Sequence, residues 1–109
     1  MNFDDLQKRA LQISGKYDAL NKQKGNKGWD VQQYMAGFVG DVGDLSKIIM
    51  AKQGFRPMED VDSKLAHELS DCLWSVLVLA SKCGIDLSDE FSKTMDELER
   101  KIDAATIEA

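Results

Sequence analysis

Residues 72–80 read CLWSVLVLA, nine consecutive positions without a charge in a chain that is 30% charged. The run is apolar on every side, and no turn residue breaks it. A helix with no polar face belongs at the centre of a bundle or in a subunit interface. Working outward, Val61 to Cys83 reads as one helix, ended by Gly84, with Ile85, Asp86 and Leu87 leading into a last helix over Ser88 to Ala104. Upstream, Tyr34, Phe38, Val42, Leu45 and Ile49 recur at helical spacing and predict a helix over Val31 to Gln53, with Asp30 as its N-cap and Gly54 as its stop. Leu6, Ala10, Ile13, Tyr17 and Leu20 predict another over Phe3 to Lys24, capped by Asn2 or Asp4. Strand-type alternation and internal repeats are absent from the sequence. The connectors are short, so the expected fold is all-α: an antiparallel four-helix bundle, with enough apolar surplus to point to an oligomer.

A length of 109 residues makes this one domain, residues 1–109. A hydrophobic content of 43% is too high for a disordered chain, and a net charge of −5 argues against nucleic acid or an anionic membrane as partner. The opening MNFDDLQKRALQ has no apolar signal core, and no 18-residue apolar run occurs, which predicts a cytoplasmic protein. Cys72 and Cys83 lie 11 positions apart on one helix. That separation, about 16 Å along the axis, excludes a disulfide between them and leaves buried, reduced thiols as the reading.

Two acidic pairs stand out. Asp41 and Asp44 share a face of the second helix, and Glu68 and Asp71 share a face of the third, because three residues turn a helix by about 300°. Both pairs border apolar stripes: Phe38, Leu45 and Ile48 flank the first, and Leu65 and Cys72 flank the second. If the two helices pack antiparallel, four carboxylates converge, and like charges so placed repel. A hard divalent cation, Mg²⁺ or Mn²⁺, relieves the conflict through oxygen ligands. Structural zinc is disfavoured by the lack of a thiolate or imidazole set, and a di-iron site by the lack of Glu-x-x-His. Exposed acids at this spacing are also common with no ligand at all.

At these residues the chain resembles the MazG-like, all-α nucleoside triphosphate pyrophosphohydrolase superfamily. FVGDVGDLSKII (residues 38–49) is similar to its "VGEVGEL" segment, and HELSDCLWSVLVLASKCGIDL (residues 67–87) to its "EELSDVLWYLLLLANRLGIDL" type of segment. The resemblance implies Mg²⁺-dependent hydrolysis of a nucleoside triphosphate to the monophosphate and pyrophosphate. Asp41, Asp44, Glu68 and Asp71 would be metal ligands, and Glu68, with the longest reach, the base or bridging ligand. It also implies a homodimer or homotetramer. The pattern departs from the family in D-x-x-D where E-x-x-E stands, which shortens the reach of the first pair. On the last helix, FSKTMDELERKI offers Lys93, but Glu97 or Leu98 falls where family members carry an Asn that contacts phosphate.

Trp29 either stacks on a nucleobase or staples the connector to the bundle. Lys47, Lys52 and Arg56 are either phosphate ligands or solvated side chains. Ser75, one turn beyond Asp71, and Lys93 complete the candidate substrate contacts. Trp74 reads as core, His67 as a surface partner of Asp71, and Met35, Met50, Met58 and Met95 as gap fillers in helix packing. Two further functions share the carboxylate plan or the scaffold: phosphoribosyl-ATP pyrophosphohydrolase, and a non-catalytic bundle that binds a nucleotide or a protein.

Overall fold

The computed structural model describes the backbone of residues 1–108 and the side chains of residues 1–106. Four helices follow one another: α1 (Phe3–Gln23), α2 (Val31–Lys52), α3 (Val61–Lys82) and α4 (Leu87–Glu108). None of the described helices is long and apolar enough to cross a membrane. Their ends follow local chemistry. Asn2 and Asp30 cap α1 and α2 through reciprocal capping boxes, with Asp5 and Gln33 as the returning side chains. Gly54 and Gly84 take positive φ, 85° and 70°, just past the ends of α2 and α3, where a side chain would be strained.

Antiparallel packing of α2 and α3 makes the body of the molecule, and α1 lies along α3. The Gln7 amide donates to the Leu77 carbonyl (2.8 Å) and the Trp74 indole N–H to the Ala10 carbonyl (3.1 Å), so α1 runs opposite to α3. Tyr34 sits where the three helices meet. Its ring is 2% exposed and packs edge-on against Trp29 and Trp74, with centroids 5.4 and 5.8 Å away. Its hydroxyl is 2.6 Å from the Ser14 hydroxyl, which satisfies two buried polar groups at once. Ala10, Leu77 and Val78 close the core around it.

The apolar run on α3 sits centrally, as its composition dictates: Ser75, Leu77, Val78 and Ala80 are buried. The chain is all-helical as expected, but α4 does not close a compact bundle with the other three helices. From Ser88 through Thr106 every residue of α4 is exposed, and the radius of gyration is 17.7 Å, against about 13 Å for a compact chain of this length. Sequence periodicity identifies a helix with an apolar face but cannot say what that face packs against. Expectations for four single residues change as well. Met35, Met50 and Met95 are exposed and fill no gap within the chain. Cys83, at the end of α3, is exposed while Cys72 is half-buried; both are free thiols.

The Ser14–Tyr34 pair generates a double-mutant test. Tyr34→Phe alone strands the Ser14 hydroxyl and lowers stability by about 1–2 kcal/mol. Adding Ser14→Ala recovers most of that loss in thermal melts, since no polar group is then left unpaired. Additive losses would show that the hydroxyl contact joins nothing.

Candidate metal centre and flanking cavities

Inward-facing positions of α2 run Tyr34, Phe38, Asp41, Leu45, Ile48, and those of α3 run Leu65, Glu68, Cys72, Ser75, all buried or half-buried. Asp41 and Glu68 thus occupy places in the packed seam that the pattern otherwise gives to apolar residues. Antiparallel pairing sets them opposite each other, and exposed Asp44 reaches in from one turn along α2. One carboxylate oxygen from each of Asp41, Asp44 and Glu68 lies within 4.8 Å of the other two.

Electrostatics follow from this crowding. Glu68 is held above the ordinary glutamate pKa, first by burial, then by the charges of Asp41 and Asp71, by carboxyl-to-carboxyl hydrogen bonding with Asp41, and by Asp44. Its Oε1 is buried with no hydrogen-bond partner. Burial and the charges of Asp41, Glu68 and Asp71 also push the Cys72 thiol up. The three groups that converge offer oxygen only, which fits Mg²⁺ or Mn²⁺.

Asp71 falls outside this trio. Its Oδ2 lies 3.2 Å from His67 Nε2, the i, i+4 surface pair anticipated for that histidine. It remains near enough to raise Glu68. Two cavities flank the carboxylates. One, about 760 Å³, is lined by Tyr17, Trp29, Tyr34 and Trp74, with Asp41 and Asp71 at one wall. Trp29 both staples the connector to Tyr34 and presents a surface to this space. It approaches so close to α2 that a Cβ on Gly37 would lie 3.3 Å from its ring. The second cavity, about 440 Å³, holds Asp44, Glu68, Lys47, Arg56 and Lys64.

Two candidates lie elsewhere. Ser75 is 3% exposed, inside the core, because α3 continues inward past Asp71. Lys93 lines neither cavity, and its ammonium lies 2.9 Å from Asp89 on the projecting α4. Lys52, one of the α2 lysines, pairs with Asp62. Tyr17 and Lys64 were not singled out from sequence. Tyr17 reads there as an ordinary stripe residue, and only the spacing of Lys64, four before Glu68, connects it with the acids.

A carboxyl whose folded pKa lies above its unfolded value holds its proton better in the folded state. Its ionisation therefore weakens the fold as pH rises through that window, and lowering the pH relieves the strain. At neutral pH, millimolar Mg²⁺ or Mn²⁺ should raise the melting temperature, by an amount that shrinks as the pH falls and Glu68 protonates. Glu68→Gln should raise the metal-free melting temperature at neutral pH and abolish the response to cation. A melting temperature indifferent to both cations at pH 7 would rule out the metal centre.

Compared with models of protein families, with curated proteins and with solved structures, the chain matches none.

Proposed function

We propose that this chain is a Mg²⁺-dependent nucleoside triphosphate pyrophosphohydrolase of MazG-like type, which hydrolyses a (d)NTP to the (d)NMP and pyrophosphate. The observation that carries the reading is the Asp41, Asp44 and Glu68 trio, whose Asp41 also lines an aromatic cavity. The carboxylates supply the place for a cation, and the aromatic rings supply a flat apolar surface for a base within reach of it. Asp41, Asp44 and Glu68 would hold the cation, with Asp71 beside them as a further ligand or through water. Bound there, Mg²⁺ neutralises phosphate charge and acidifies a water.

The chain's own groups do the rest. Trp29 and Tyr17, both about half exposed, offer stacking faces, while Trp74 and Tyr34 form the floor. Glu68, with the longest reach of the four acids, is the group placed to take a proton from the attacking water. Seam packing holds Asp41 and Glu68 in register, so their approach is set before substrate arrives.

The working unit is proposed to be a homodimer or homotetramer. The accessible surface of the chain is 8223 Å², while a compact monomer of its mass has about 6,000 Å². The surplus is roughly the area that one subunit gives up in an obligate interface. Among the apolar residues left uncovered are Met35, Val39 and Val42 on α2, Leu69 and Leu73 on α3, and Phe91, Met95, Leu98 and Ile102 on α4.

Pyrophosphate release across the common and damaged NTPs and dNTPs, with phosphoribosyl-ATP included, tests the activity. Turnover of at least one (d)NTP with Mg²⁺ or Mn²⁺ is expected, and Glu68→Ala should abolish it while leaving the helical circular dichroism intact. Turnover of phosphoribosyl-ATP alone would move the assignment to that enzyme, and unchanged turnover in Glu68→Ala would remove Glu68 from the chemistry. Light scattering should give a dimer or tetramer at micromolar concentration, and Leu73→Lys with Phe91→Lys should dissociate it. A monomeric wild type with full turnover would refute the assembly.

A further inference from the structure

The smaller cavity gathers basic side chains on a chain that is acidic overall. Net charge is −5, yet Lys47, Arg56 and Lys64 all line this one space. Among the described residues none of the three forms an ion pair, whereas Lys52, Lys93 and Lys101 are each engaged by a carboxylate. They come from three segments: Lys47 from α2, Arg56 from the connector and Lys64 from the first turn of α3. Their convergence is therefore a product of the tertiary fold. Ser63 adds a hydroxyl. Asp60, in the left-handed region at φ 51°, makes no side-chain cap, so the first amides of α3 are left for another acceptor. On the inner wall stand Asp44 and Glu68, the latter with its unpartnered buried Oε1.

We infer that this cavity binds a diphosphate together with its divalent cation, through Lys47, Arg56 and Lys64. On the pyrophosphohydrolase reading, on which the identity of the ligand rests, the diphosphate is the β and γ phosphates of the substrate and then the pyrophosphate product. Bare anions are repelled by Asp44 and Glu68, so the anion enters as its cation complex, with the metal against the carboxylates and the outer oxygens toward the three cations. Arg56 supplies a planar fork suited to two phosphate oxygens, and the two lysines supply point charges. Three separated cations match an extended anion better than a single phosphate. Hydrolysis of the α–β anhydride leaves new charge on the departing diphosphate, and these side chains are placed to take it up. They thereby fill the role that the resemblance assigns to Lys93, which lies outside the cavity.

The test is calorimetric titration of the full chain with Mg²⁺ and inorganic pyrophosphate, and separately with Mg²⁺ and orthophosphate. Lys47→Gln/Arg56→Gln/Lys64→Gln is compared with Lys8→Gln/Lys16→Gln/Lys101→Gln, which removes the same charge elsewhere. Pyrophosphate should bind the wild type and the second variant alike, bind the first at least about tenfold more weakly, and bind more tightly than orthophosphate. Should the triple variant misfold by circular dichroism, Arg56→Gln alone, in the connector, should still weaken pyrophosphate and not Mg²⁺. Equal pyrophosphate affinity in wild type and triple variant overturns the inference even if (d)NTPs are hydrolysed. Loss of pyrophosphate binding in a chain that hydrolyses no (d)NTP upholds the diphosphate site and removes the enzyme reading.

Discussion

The buried Tyr34 hydroxyl, matched to Ser14, is the contact on which the rest of the arrangement depends. A tyrosine can occupy a dry core only if its polar end is satisfied, and here α1 supplies the partner. That one requirement ties α1 to α2, while the ring, wedged against Trp29 and Trp74, ties both to α3 and to the connector. The aromatic cavity is the outer side of the same cluster. Anything that loosens Tyr34 therefore opens the core and deforms the cavity together.

Two turns beyond Tyr34 the same inward stripe of α2 reaches Asp41, where the geometry that favours burial works against charge. Carboxylates in a packed seam repel each other and lose hydration, and the structure answers by raising Glu68 instead of separating the helices. Apolar packing along the seam holds the acids near one another, because Ile48 on one side and Leu77 and Val78 on the other are too well buried for the helices to part cheaply. The result is a cluster of mutually repelling acids, a strain that a cation, as proposed, would relieve.

The uncovered apolar surface has a different origin. A chain of this size has little interior to offer. With α4 projecting, only six hydrophobic side chains are buried among the described residues. Residues 91, 95, 98 and 102 form a regular apolar seam on α4 that has the spacing of a helix–helix contact but no partner in the same chain. Assembly, as proposed, would use the same packing rules that hold α2 to α3.

Helical periodicity, cap residues and stop glycines were legible in the sequence because they are local: spacing near 3.6, Asp30 before Val31, and glycines at 54 and 84 act within a turn or two of themselves. The acidic pairs were legible for the same reason, since i, i+3 neighbours on one helix are neighbours whatever the fold. What sequence could not decide was the partner across the seam. Only tertiary packing sets Glu68 against Asp41 and Asp44 and buries Ser75. Packing also gathers Lys47, Arg56 and Lys64 from three segments and leaves Lys93 on an arm outside. Local rules set which face of a helix is which, whereas the distance between two helices is set by how their side chains interlock.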